Sequence, residues 1–181
     1  MTDGQPVIRI TEATAPWELD AVRALERAFV AWHRDRHTQD LHLIDSYFDA
    51  AAFEQELASL PGAYSPPAGR LLLATVDGEP AGCVALHPLD AGYCEMKRMF
   101  VYPQFHGRGL GVALAGAVID AARGIGYRAM RLDTSIRQAE ALGLYRRFGF
   151  EVVPPYYELA PGLRDWLVFM ELPLADTEQM Q

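Results

Sequence analysis

One α/β domain is the fold class that the sequence predicts: a mixed sheet of about seven strands with helices on its faces. Three observations predict it. First, 181 residues fit a single domain, and with half of them hydrophobic and 22% charged such a chain buries a core without disulfide or metal staples. Second, beyond Arg70 apolar blocks of strand length are separated by the turn signals Asp77-Gly78 and Asp90–Gly92, the pattern of an antiparallel meander. Third, after Val101 strand-like and helix-like blocks alternate as β–α–β–α–β, which lays helices against a sheet.

Taken in order, Val7–Ile10 reads as the first strand. Thr14 offers an N-cap, Pro16 a helix start, and Leu19, Val22, Leu25 and Phe29 a helical stripe. A single second helix is predicted from Ser46 to Leu60, stopped by Pro61-Gly62. Between the two, His33–Leu43 reads as a polar, histidine-rich bridge, a solvated helix end. Ala63–Gly69 is a loop by its prolines and glycines. Strands follow at Leu71–Val76, Ala81–Leu86 and Tyr93–Val101. A one-sided helix carries Leu110, Leu114, Ala117, Val118 and Ala121 and is ended by Gly124 and Gly126. The remainder is a strand at Ala129–Asp133, a helix at Ile136–Phe148, a strand at Phe150–Val153, a loop at Pro154–Gly162 and a last strand at Trp166–Leu172.

The charge balance excludes some partners. Sixteen basic and twenty-four acidic residues give a net charge of -8, which argues against a general nucleic-acid binder, since that needs a basic face to displace phosphate counterions. No apolar run approaches a membrane span, and the acidic N-terminus does not read as a signal peptide. Cys83 and Cys94 are too few for a disulfide framework and lie in apolar segments, so a cytoplasmic setting is expected. His33 and His37 share one helical face near Asp40, but the interleaved arginines oppose a cation, and no metal site is expected.

The chemistry concentrates in Val101–Val112, VYPQFHGRGLGV. A strand runs into Gly107, Gly109 and Gly111, and a helix begins there. Helix N-termini present unpaired N–H groups and a positive dipole end, a ready phosphate site. Glycines let those groups approach an anion, and Arg108 adds charge beside them. The dinucleotide-binding fingerprint fails, because its third glycine falls on Val112 or Leu114. A P-loop fails too, since the only lysine, Lys97, lies upstream of the loop. An ordinary tight strand-to-helix turn remains an alternative on spacing alone.

The window His106-Gly107-Arg108-Gly109-Leu110-Gly111 resembles the phosphate loop of the GNAT (N-acetyltransferase) superfamily. EMKRMFV, RLDT, LYRRFGF and PPYY follow the same order as in a bacterial branch of small acetyltransferases. The resemblance covers about residues 70–172. It implies a mostly antiparallel sheet, a cofactor core over 70–172, and acceptor-side elements over 1–69 of one domain spanning 1–181. It implies acetyl-CoA as co-substrate, with pyrophosphate on the backbone N–H groups of His106 to Val112 and the pantetheine arm paired with Met99, Phe100 and Val101. His106 departs from the usual Gln or Arg. Tyr145 falls at the family's general-acid position, although a purely packing tyrosine is the alternative. Glu95 is the carboxylate on the strand entering the site and the candidate base, with Arg98 and Glu151 behind it. Strand alternation puts Glu95, Lys97, Met99 and Val101 on one face, and Cys94, Met96, Arg98 and Phe100 on the other. Tyr156 and Tyr157 are expected as a pocket wall. The activity implied is acetyl transfer to the amine of a small molecule or peptide, by a monomer or homodimer. A non-catalytic acyl-CoA-binding module on the same fold is the rival.

Overall fold

A computed structural model describes residues 5–174; the first four residues of the acidic N-terminus and residues 175–181 lie outside them. The order is β1 (Ile8–Glu12), α1 (Pro16–Arg36), α2 (Leu41–Tyr47), α3 (Ala50–Ser59), β2 (Arg70–Val76), β3 (Glu79–Pro88), β4 (Tyr93–Val101), α4 (Leu110–Ile125), β5 (Ala129–Ser135), α5 (Ala139–Arg147), β6 (Glu151–Val153) and β7 (Leu167–Pro173). The strands form one seven-stranded sheet in the order β1-β2-β3-β4-β5-β7-β6. Only the central β4–β5 pair is parallel; every other neighbour is antiparallel.

Both faces of the sheet are covered, so its inner strands are apolar on both sides. On β2, Leu72, Ala74 and Val76 pack with Leu114 and Val118 of α4, while Leu71 and Leu73 pack with Leu25 of α1 and Leu57 of α3. That alternation is the period of two expected of a strand. Cys83 and Cys94 are free and buried, one on each face.

The structure corrects the predicted N-terminal half in three places. Thr14 lies one residue before the N-cap of α1, which is Ala15. In place of a capping hydroxyl, the Glu18 carboxylate accepts from the backbone N–H groups of Thr14 and Ala15, each at 2.9 Å. The predicted single helix from Ser46 is two, because the chain turns at Phe48-Asp49 and Asp49 caps α3 by accepting from the Ala52 N–H at 2.9 Å. Asp49→Ala is therefore expected to cost about 1 kcal/mol, a fall of about 2–4 °C in Tm for a domain of this size, readable by thermal denaturation. Finally, His33–Leu43 is not a solvated bridge. His33, His37 and Asp40 are buried, the two rings 4.9 Å apart, and Asp40 accepts from Arg137 at 2.8 Å and from the Trp166 indole at 3.1 Å.

On β4 the alternation slips. The register against β3 shifts between Cys83 and Ala85, and Arg98 sits at φ 57, the geometry of a β-bulge with a residue in the left-handed region. After the bulge, Met99 and Val101 join Cys94 and Met96 on the α4 side. Arg98 lies against Phe48 and Phe53, with Phe100, on the α1 side. The face assignment expected for Arg98 and Phe100 against Glu95 and Lys97 is thus reversed: all four lie on the α1 side.

Candidate active site

β4 and β5 pair only where Tyr93–Glu95 meets Ala129–Arg131. Beyond that they part, and a cavity of about 480 Å3 opens between them. Its walls come from Met96–Val101 of β4, Leu132–Ser135 at the end of β5, the loop before α4, α5, and the aromatic side of α1 and α2. The unpaired edge of β4 leaves main-chain groups facing this wedge, the condition for adding an extended ligand as a further strand.

Gly107 and Gly109 stand at φ 76 and 79, and a Cβ at either would meet nothing within 4 Å. The left-handed turn that only glycine adopts cheaply therefore faces open space. α4 begins at Leu110, and the first helical bond runs from the Ala113 N–H to the Gly109 carbonyl at 3.0 Å. Leu110, Gly111 and Val112 keep the N–H groups that a helix start leaves over. Gly107, Gly109, Leu110, Gly111 and Val112 all line the cavity, as do Met99, Phe100 and Val101.

Two loop residues differ from expectation. The His106 N–H donates to the Pro103 carbonyl at 3.1 Å and is not free for an anion. Its ring lines the cavity but sits 2.9 Å from the Val101 carbonyl through Nε2, so it ties the loop to the end of β4. Arg108 is exposed, stacked at 5.4 Å on Phe105, and is not part of the cavity wall.

Tyr145 of α5 lines the same cavity while 7% exposed. Burial, and then the negative charge of Asp133, push its hydroxyl above the ordinary tyrosine value, so it stays protonated. Glu95 is placed differently. It does not line the cavity; it is 4% exposed, with His87 Nε2 and Lys97 Nζ at 3.0 and 3.2 Å from Oε1, and Tyr156 donating to Oε2 at 2.5 Å. Burial alone would raise this carboxyl, but the three partners outweigh it and hold it at about 2. So low a value keeps Glu95 ionised, and since it stands behind the cavity wall, a base role for it would run through water.

The residues that sequence reasoning passed over lie between them. Asp133, at the end of RLDT, lines the cavity and accepts from Tyr47 at 2.5 Å and Tyr157 at 2.9 Å, with Lys97 at 3.8 Å. Its position two residues past the last β4–β5 pair depends on where the strands part, which no local pattern announces. Tyr157 reaches the site through Asp133 and Tyr156 through Glu95, so the expected pocket wall is a support behind it. Below β4, Arg98 donates to Glu56 through Nη2 at 2.8 Å and Nε at 3.3 Å, and lies 4.0 Å from Glu26. The Glu26 carboxylate has no hydrogen-bond partner, and burial lifts it to about 7 against the pull of Arg98. His33 lines the cavity from α1, its Nδ1 sealed without a partner, and burial, then His37, lower it to about 4. It is neutral at pH 7. Glu151 is exposed on β6, away from the cavity. Among the described residues no group of three or more His, Cys, Asp or Glu side chains is arranged to hold a metal, and no helix is long and apolar enough to cross a membrane.

The sequence profile of the acetyltransferase (GNAT) family matches residues 21–150. An uncharacterised N-acetyltransferase of Schizosaccharomyces pombe is 42% identical over 106 residues, 58% of this chain and 65% of the relative. An IAA acetyltransferase of Azospirillum brasilense is 38% identical over 106 residues, 58% of this chain and 68% of the relative. The match to the yeast protein thus spans less than two thirds of its length. In fold, the chain is similar to an N-acetyltransferase of Thermoplasma acidophilum solved in complex with coenzyme A, with a TM-score of 0.71 at 17% identity, covering 92% of this chain and 99% of that one.

Proposed function

Because the chain belongs to the acetyltransferase (GNAT) family, we propose that it transfers an acetyl group from acetyl-CoA to an amine by direct attack within a ternary complex. The observation that carries this reading is the glycine loop: open left-handed turns and unpaired helix-start N–H groups at one end of the wedge that Tyr145 lines. The N–H groups from Gly107 to Val112 suit a pyrophosphate, without that of His106. The free edge of β4 at Met99–Val101 suits a pantetheine arm.

The chain's residues then divide the work. A backbone N–H near Met99 or Phe100 steadies the thioester oxygen as it becomes negative. The amine nitrogen bonds the acetyl carbon, the carbon–sulfur bond breaks, and the departing thiolate takes the hydroxyl proton of Tyr145. An acceptor bound as its ammonium first gives one proton to solvent through water in the cavity, which frees the lone pair; the second proton, shed as the amide forms, restores Tyr145, so an amide, a free thiol and one released proton are the products. Glu95 contributes as a fixed anion that holds Lys97 and Tyr156 in place. An enzyme of this kind needs Tyr145; a module that only binds an acyl-CoA does not.

The test is calorimetric binding of acetyl-CoA beside thiol release over an amine panel. With Gly109→Val, a β-branched residue is forced to φ 79 and its side chain fills the space before the N–H groups. Acetyl-CoA affinity is expected to fall about tenfold or more, which corresponds to about 1.4 kcal/mol, beside a fall of several degrees in melting temperature from the strained backbone. Unaltered affinity would remove the loop from the reading. Binding by the wild-type chain without thiol release on any amine would leave only the binding module.

A further inference from the structure

We propose that the acceptor is a primary alkylamine with a flat aromatic body, an arylalkylamine, bound as its ammonium; this deepens the acetyl-transfer reading and rests on it. The wall supplied by α1, α2 and the segment entering β7 is aromatic. Phe29 and Trp32 lie 5.4 and 6.2 Å from Phe100, and Phe48 meets Phe29 edge-on at 5.8 Å. Trp166 closes the side beyond Tyr47 at 6.2 Å, and these residues all line the cavity. Phe48, Phe100 and Trp166 are buried, but Trp32 is only half-buried, with Arg36 over its ring at 4.9 Å, so the surface it leaves for a ligand is the part that Arg36 does not cover. Such surfaces favour a flat apolar body, and the chain's own cations Arg36, Lys97 and Arg98 already stand over the rings of Trp32, Tyr47 and Phe48, so the ammonium is drawn by the carboxylates and not by the rings.

The charges beside this wall favour an ammonium over an anion. Lys97 stands between two carboxylates, Glu95 at 3.2 Å and Asp133 at 3.8 Å, and Glu95 also has His87 at 3.0 Å, so Asp133 on the cavity wall is the less closely compensated of the two. The Asp133 side chain is 1% exposed behind Tyr47 and Tyr157, so it acts through its field and not by contact. It is a positioning residue for the acceptor. Beside the aromatic wall the carboxylate of an amino acid would find the cations already taken, Lys97 by Glu95, Arg98 by Glu56 and Arg36 by Glu140 at 2.8 Å, whereas Arg147, which also lines the cavity, stands on α5 between Leu144 and Phe148, the residues next to Gly111 and Gly116 of α4 on the glycine-loop side. A polyamine has no flat body for the rings, and its further charges would find only Glu140, engaged by Arg36, as a second carboxylate on the described wall.

Three acceptors separate these cases: 2-phenylethylamine, phenylalanine, which adds a carboxylate to the same ring and amine, and spermidine, which has charge without a ring. Thiol release with acetyl-CoA is expected to give 2-phenylethylamine a kcat/KM about tenfold or more above both others. Trp32→Ala should raise its KM about tenfold with little change in kcat or in the KM for acetyl-CoA, and Trp32→Phe should restore most of the loss. Asp133→Asn should raise the KM for 2-phenylethylamine and narrow the gap to phenylalanine. Phenylalanine or spermidine as the better substrate, or an equal effect of Trp32→Ala on all three, would overturn the proposal. Binding is read separately by quenching of the Trp32 and Trp166 fluorescence. Saturable binding of 2-phenylethylamine without turnover of any amine keeps the arylalkylamine as the ligand of this wall and rejects acetyl transfer. No saturable binding, with CoA present or absent, rejects the acceptor assignment even if another amine is acetylated.

Discussion

Tyr145→Phe is expected to lower kcat by a factor of about 100 to 10,000, the range for removing a general acid, while leaving the affinity for acetyl-CoA unchanged. The substitution deletes one oxygen and keeps the ring. The contact with Phe150, centroids 5.7 Å apart, and the buried seat of the side chain are retained, so stability is expected to change little. The loss should fall on kcat because the hydroxyl is required only as the thiolate departs. A thiol of the cysteine type has a pKa near ~8.5, so departure as a bare thiolate at neutral pH is uphill. Burial and the Asp133 charge keep Tyr145 protonated at neutral pH and also make it a weaker acid, so it gives up its proton only to the full charge that develops on the sulfur beside it. The measurement is steady-state thiol release with wild type and variant, beside calorimetric titration with acetyl-CoA. A variant with more than a third of the wild-type kcat would show Tyr145 to be a packing residue, and the thiolate would have to leave unaided.

The parts of the site that were legible in the sequence are those set by local backbone chemistry. Gly107 and Gly109 announce a strand-to-helix turn because few other residues tolerate φ near 76–79, and the apolar stripe of Leu110, Leu114 and Val118 announces the helix that follows. What was hidden depends on distant contacts or on one irregular residue. The bulge at Arg98 places an arginine in a conformation that its chemistry does not advertise, and a strict period of two then assigns the wrong faces beyond it. The break between α2 and α3 was concealed because apolar residues continue at helical spacing through Phe48, although Asp49 is a residue type that caps helices. HRDRH reads as solvated by its charges, but His33 and His37 are one turn apart, and that single face is sealed by Trp166, 126 residues downstream of Asp40. Glu95 and Asp133 show the same limit. Both are acidic residues on central strands, and only the point where β4 and β5 separate sets one behind the cavity and the other on its wall.

Arg98→Met is expected to destabilise the fold by about 3–5 kcal/mol, the usual cost of leaving a buried ionic partner uncompensated. Methionine matches much of the apolar stem that packs on Phe48 and Phe53, so the loss is mainly electrostatic. It removes the one guanidinium shared by Glu56 and Glu26, and Glu26 has no hydrogen bond to fall back on. Glu26 also gives the effect a pH signature. Its carboxyl is lifted from the ordinary 4.5 to about 7 by burial, so the folded chain holds this proton more tightly than the unfolded one. The associated stability is fully present below about 4.5, is lost as pH rises through about 7, and is level above that. Without Arg98 the carboxyl rises further, so the cost of the substitution should be larger at pH 8 than at pH 5.5, where Glu26 is largely protonated in both proteins. Denaturant unfolding at those two values reads the difference directly. A cost independent of pH would mean that Glu56 alone accounts for the pairing, and that Glu26 sits too far from Arg98, at 4.0 Å, to depend on it.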